Sequence, residues 1–224
     1  MSKDTDSPNG DTSIAQRALS RRSVLMAGGV AGIGLIAAAC GSSSKSPSSN
    51  TTGSSTPGTS APASGDGKTA MTAASLEVLA VATYKAALDA ATANKLGTVP
   101  PAVANFVQTA MSNHQAALDR WNSALTGAGA QAVSAPPPDL KAKVDAAFGQ
   151  VTDVTGAAKL ALMLETIAAD TYLSAVSTLQ NKDAITLAGA LQIIDQEHAA
   201  VLHYVLGEYP VPDVFQKTDM AYSG

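Results

Sequence analysis

From about Thr69 onward, apolar residues recur three and four positions apart, with polar residues between them. That spacing gathers the apolar side chains on one face of an α-helix rather than on alternate faces of a strand. Four long runs of this kind are present. The first starts near Thr69–Thr72 and reaches about Ala93, where Asn94, Gly97, Pro100 and Pro101 stop it. The second runs from about Pro101 to Leu125, since proline suits a first helical turn and Gly127 and Gly129 suit an end. The third covers about Ala157 to Leu179 and the fourth about Ala184 to Leu206, with Gly207 after it. Asn181-Lys182-Asp183 joins these two tightly, and Asp183 is the expected N-cap. A longer connection separates the second and third runs. It holds Pro136-Pro137-Pro138 and a short helix to about Phe148, with Asp139 as its expected cap. Helices of about 23 residues are about 35 Å long. Two short connections flanking a long one predict an all-α domain, a four-helix bundle with one long crossover connection.

Composition narrows this further. The folded region is rich in Ala and Leu, and aromatic residues make up 4% of the chain. Of the 224 residues, only those from about Thr69 on have the content to build a core, enough for one domain. Residues 41–70 are almost all Ser, Thr, Gly, Pro and Ala, and read as a tether spanning roughly 30 Å. Residues 71–207 hold the bundle and residues 208–224, with Pro210 and Pro212, an extended C-terminal tail. After Cys40 there are 10 basic and 15 acidic residues and no basic stripe, so no nucleic acid partner is expected. A single cysteine permits neither an internal disulfide nor a cysteine-based zinc site. No nucleotide-binding loop, Ser-His-Asp arrangement or catalytic cysteine is present.

The N-terminus reads as an address. Ser20-Arg21-Arg22-Ser23-Val24-Leu25-Met26 sets an arginine pair before an apolar run that continues to Ala39. The run is shorter than the roughly 20 residues of a membrane span, which favours a signal peptide. The arginine pair resembles the twin-arginine export signal, with Val24 where Phe is usual. Ala37-Ala38-Ala39-Cys40-Gly41 resembles a lipobox, with Ala37 where Leu is usual. The resemblance implies that residues 1–40 are a twin-arginine-type signal segment with a lipobox-like end, and that Cys40 is acylated and becomes the first residue. The domain would pass through the twin-arginine export machinery and be held by its lipid anchor at the outer face of the cell membrane. Cleavage after the Ala-rich stretch would instead release a soluble protein, and an uncleaved segment would itself be an anchor.

Chemistry enters where polar residues interrupt the apolar stripes. On the first helix Ala73, Glu77, Ala80, Tyr84 and Ala87 share a face; on the third, Ala161, Glu165, Ala168, Tyr172 and Leu179. On the second, His114 lies in line with Val103, Val107, Ala110, Ala117 and Trp121. On the fourth, Asp195 and His198 lie among Leu187, Leu191, Ile194, Val201 and Val205. The segments are internally repeated. Leu76-Glu77 through Thr83-Tyr84 aligns with Leu164-Glu165 through Thr171-Tyr172, and His114-Gln115-Ala116-Ala117-Leu118 with His198-Ala199-Ala200-Val201-Leu202. Glu and His are scarce in this chain. Of its four Glu and three His, two of each fall at matched positions of the repeat. Asp195 and His198, three residues apart, can reach one point in the core. A buried carboxylate must be protonated, paired or bound to a cation. A shared cation would be iron or manganese rather than calcium, because the donors include imidazole.

These residues resemble the ferritin-like superfamily, in particular exported bacterial ferritin-like domain proteins. The resemblance spans Ser75–Gly207 and implies that Glu77, His114, Glu165 and His198 take metal-ligand positions, with Asp195 in place of the second carboxylate of the fourth helix. Tyr84 and Tyr172 would support the ligands. Met111 occupies the position of the matching carboxylate on the second helix, leaving one ion, two, or none as alternatives. Ferrous oxidation or peroxide disposal at the cell envelope is the implied activity. The alternative is a non-enzymatic structural, stress-related or interaction module whose polar core has lost its metal. Glu197 and His203 fall off the inward stripes and are expected at the surface.

Overall fold

The computed structural model describes residues 65–224. The signal segment, Cys40 and most of the tether lie outside the described residues. Five helices form among them: α1 (Gly65–Thr92), α2 (Pro101–Gly127), α3 (Pro138–Phe148), α4 (Val154–Thr178) and α5 (Lys182–Val205). α1 begins a few residues inside the stretch expected as tether.

Local chemistry sets the helix boundaries. Pro101 and Pro138 fill first turns, where a missing N–H costs nothing. Asp139 therefore does not cap α3; its carboxylate accepts the Tyr222 hydroxyl at 2.7 Å instead. Asp153 caps α4 by accepting the Gly156 N–H at 2.7 Å, which moves the start back to Val154. Asn181, not Asp183, caps α5: its side-chain oxygen accepts the N–H groups of Asp183 and Ala184 at 2.9 and 3.0 Å. Asp183 sits in the first turn, where its charge complements the helix dipole. α5 stops because Gly207 takes a left-handed conformation (φ 78°), which lets the Glu208 N–H reach the His203 carbonyl at 2.9 Å.

α1 pairs with α2 and α4 with α5 as two hairpins, α1 packs across α4, and α3 rests on α4. Near the start of α1, Ala70, Ala73 and Ala74 meet Trp121, Leu125, Tyr172, Ala175, Leu179 and Ala188 in one core cluster. The start of α1 thus lies beside the end of α4, and the two helices run antiparallel. Asp66 fixes this end by accepting the N–H groups of Gln180 and Asn181 at 3.0 and 2.7 Å.

The inward stripe of α5 differs from the expected one. Ala188, Asp195, His198, Ala199 and Leu202 are buried, whereas Val201 and Val205 are 43% and 38% exposed. Close packing on one hairpin partner needs only a narrow stripe, and alanines at its edge serve it.

The tail is strapped to the bundle. Buried Asp170 accepts the Gln216 side-chain N–H at 2.5 Å and the Met220 backbone N–H at 3.0 Å. The Tyr222 N–H reaches Thr171 Oγ1 at 2.8 Å, and its ring packs on Leu76, Leu79, Leu140 and Val144.

Candidate metal centre

Each long helix brings its polar residue to the same level of the core. Glu77, His114, Glu165, Asp195 and His198 are all buried, with Glu77, Glu165 and Asp195 each 2% exposed. Glu197 is exposed, and His203 sits near the surface, where it meets Glu208 at 2.7 Å.

His114 bridges the two glutamates. Its Nδ1 lies 2.7 Å from Glu77 Oε2 and its Nε2 lies 3.1 Å from Glu165 Oε1. His198 Nδ1 lies 3.2 Å from Glu165 Oε2, and its Nε2 lies 3.1 Å from the Asn113 amide nitrogen. The tyrosines cross between hairpins: Tyr84 of α1 donates to Glu165 of α4, and Tyr172 of α4 donates to Glu77 of α1. Trp121 Nε1 in turn donates to the Tyr172 oxygen at 2.9 Å. The rings pack as well, with His114 5.4 Å from His198 and stacked at 5.6 Å on Tyr84.

Sequence reasoning passed over Asn113, which orients His198, and Asp170, which anchors the tail. Both stand where the repeat is broken: Asn113 is matched by Glu197, and Asp170 by Ala82.

Electrostatics divide the group. Burial opposes a charge on His114, but the carboxylates of Glu165 and Glu77 outweigh it and hold the imidazole well above its ordinary value. Both its nitrogens then donate. Burial also raises Glu165, yet His114 and His198 bring it down to about 2. Asp195 is pushed far up, first by burial and then by Glu77 and Glu165, against the pull of His114. Burial and the nearby carboxylates keep Tyr84 and Tyr172 protonated, as donors.

One atom is left over. Asp195 Oδ2 is buried and has no hydrogen-bond partner. A buried oxygen without a partner is costly, and it commonly marks the place of an ion or water. His114, Glu165, Asp195 and His198 each offer a donor atom, and the four atoms lie within 4.8 Å of one another. Donors held about 2.1 Å from one cation are at most about 4.2 Å apart, so small side-chain movements would close the set. The residues fit a single cation. Glu77 stands outside the four: one oxygen faces His114 and the other Tyr172. Met111, half-buried, supplies nothing to match Asp195.

A helical bundle whose core gathers two imidazoles and carboxylates around one point is a fold and site able to hold a metal. A family model described as a ferritin-like domain matches residues 65–208. The chain belongs to that family. Neither a curated protein nor a solved structure matches it.

Proposed function

We propose that the bundle core holds one iron or manganese ion on His114, Glu165, Asp195 and His198, and that the domain oxidises ferrous iron or disposes of peroxide at the cell envelope. The unpartnered Asp195 oxygen carries this reading, because it leaves a buried acceptor at a point where the protein alone offers no donor. The donor chemistry, two imidazoles with carboxylates, suits iron or manganese. Such an ion supplies one-electron redox chemistry when bound. The protein's part is positioning. Glu77 holds the Nδ1 proton of His114 and so directs Nε2 toward the site; Asn113 orients His198; Tyr84 orients Glu165. Met111 argues for one ion rather than the pair that a second carboxylate would serve.

Elemental analysis and melting curves test this. The protein should carry about one iron or manganese, and added ferrous or manganous ion should raise its melting temperature by mass action. Asp195→Asn should abolish the rise without lowering the metal-free melting temperature. Sub-stoichiometric metal with no rise in the parent chain would leave the non-enzymatic envelope module as the better reading. That alternative has its own support, since every other site side chain is hydrogen-bonded without a cation.

The same proposal places the domain on a lipid anchor at Cys40 after twin-arginine export. The support is the Arg21-Arg22 pair, the apolar run and the Ala-Cys junction. Membrane fractions should lose the protein on Cys40→Ala, and export should fail when both arginines are replaced by lysine. Unchanged fractionation in both variants would refute the address.

A further inference from the structure

The outer side of α5 is unlike that of a solvated helix. Ile193, Glu197, Val201 and Tyr204 follow one another at intervals of four, four and three residues, so they line one side. All four are exposed, Tyr204 by 74%, and exposed Val205 stands next to Tyr204. The tail carries on from this stripe. It leaves α5 at Gly207 and is next held where Gln216 reaches Asp170 on α4, the hairpin partner of α5. Between those points lie Tyr209, Val211, Val214 and Phe215, the last two 91% and 82% exposed. The strap is fixed by Gln216, Met220 and Tyr222, beyond this segment, and leaves its four apolar side chains in solvent.

Single exposed apolar residues are ordinary, but a run of them along a helix and the chain that follows it is not. Tyr204, Tyr209 and Phe215 are each about three-quarters exposed or more, and at 150–250 Å² per aromatic side chain they offer roughly 350–600 Å² between them. The five aliphatic residues bring the surface toward the roughly 800 Å² that each partner of a stable complex buries.

We propose that this face joins two copies of the chain, α5 packing antiparallel on α5 about a two-fold axis near Ala200 and Val201. The polar residues of the stripe select a second copy over a lipid surface. Glu197 sits between Ile193 and Val201, and neither its carboxylate nor the Tyr204 hydroxyl has a hydrogen-bond partner among the described residues. Hydrocarbon would cover that carboxylate without a donor, which is costly. A second copy supplies one. Glu197 and Tyr204 are seven residues apart, one on each side of the Ala200–Val201 step. A two-fold axis at that step sets Glu197 of each copy opposite Tyr204 of the other, acceptor against donor, and one operation makes both pairs. It also keeps the two Glu197 carboxylates roughly 10 Å apart along the helix direction. From Asp183 to Gln216 there is no lysine or arginine, so no basic side chain draws this face to an anionic membrane.

Sedimentation equilibrium of the full chain tests the inference and should give twice its 22.4 kDa. Val201→Glu sets a carboxylate on each side of the axis and should raise the dissociation constant at least a hundredfold. Phe215→Asp, in the tail, should raise it at least fivefold and makes the same test if Val201→Glu fails to fold. Helical content should be unchanged in both, because both residues are already exposed. Tyr204→Phe removes the donor from both Glu197 pairs and should weaken the dimer about tenfold; made on Glu197→Gln it should weaken it less, since the two residues act as a pair. In a chain carrying Cys40→Ala, Val201→Cys should link copy to copy on mild oxidation, and Thr109→Cys, exposed on α2, should not. A monomer at every soluble concentration, a dimer that the Val201 and Phe215 variants leave intact, or linkage at position 109 as readily as at 201 would each overturn the proposal. Flotation of the parent chain on phosphatidylcholine vesicles that Val201→Glu abolishes would overturn it too, and give the face to a lipid surface. None of these measurements depends on a bound metal.

Discussion

Asp195 and His114 hold their protons for opposite reasons. His114 keeps its proton because Glu165 and Glu77 attract the charge it makes; Asp195 keeps its own because burial and the same carboxylates repel the charge it would make. A cation must displace both protons, so binding and pH are linked. Metal affinity should rise with pH by about tenfold per unit for each proton displaced. Calorimetry in buffers of different ionisation heat should report between one and two protons released per ion, and a flat affinity across neutral pH would contradict the assigned protonation. The metal-free domain should behave the other way. Glu165, depressed to about 2 from an ordinary 4.5, contributes stability above 4.5 that is lost as pH falls toward 2. Asp195, raised above its ordinary 3.8, contributes stability below 3.8 that is lost as pH rises toward its folded value. His114, raised above 6.5, contributes fully below 6.5 and loses it as pH climbs through its folded value. Melting temperature without metal should therefore peak in mild acid and fall with increasing slope above about 6.5, while the increment from added metal grows over the same range.

At the scale of the element, the tyrosines tie α1 to α4 crosswise, but not equally. Tyr172 serves two partners, Glu77 and Trp121, and all three are buried. Tyr172→Phe strands the indole N–H and one Glu77 oxygen, and should cost about 1–3 kcal/mol. Tyr84→Phe takes one donor from Glu165 Oε1, which still faces His114 at 3.1 Å, and should cost less. Urea denaturation of the two variants orders them, and the reverse order would mean that the Tyr84–Glu165 tie contributes more than the two bonds of Tyr172. The helices and their polar interruptions were legible in the sequence because period and scarcity are local properties: an isolated Glu in a run of Ala and Leu announces itself. Asn113 was not legible, since a polar residue on an exposed helix face looks like any solvated one until His198 is placed beside it. The choice of Asn181 over Asp183 as cap, and of Asp153 to start α4, turned on backbone geometry one or two residues wide. The inequality of Glu77 and Glu165 was hidden for a different reason. The repeat makes them equivalent in sequence, and only the contact of His198 with Glu165 separates them.

At the scale of the whole molecule, the tail depends on one buried carboxylate remote in sequence from what it holds. Asp170 lies on α4 and is 2% exposed, and it accepts from Gln216 and Met220 across a separation of some fifty residues. Tyr222 completes the strap. Its side chain packs against the cluster of Leu76, Leu79, Leu140 and Val144, and its hydroxyl ties the tail to α3 through Asp139. The tail therefore packs on α1, α3 and α4, which its two prolines would not suggest. Asp170→Ala removes the acceptor for both tail donors. Hydrogen bonds to a charged acceptor contribute about 1.5–3 kcal/mol each, so the strap should come away before the bundle unfolds. Trypsin reports this directly, because exposed Lys217 lies between the two anchoring residues. In the parent chain that bond should be cut slowly; in Asp170→Ala it should be cut many times faster, with helical content by circular dichroism nearly unchanged. Loss of helicity in step with cleavage would show that the strap and the bundle form one cooperative unit. Unchanged cleavage at Lys217 would show that Asp170 does not hold the tail.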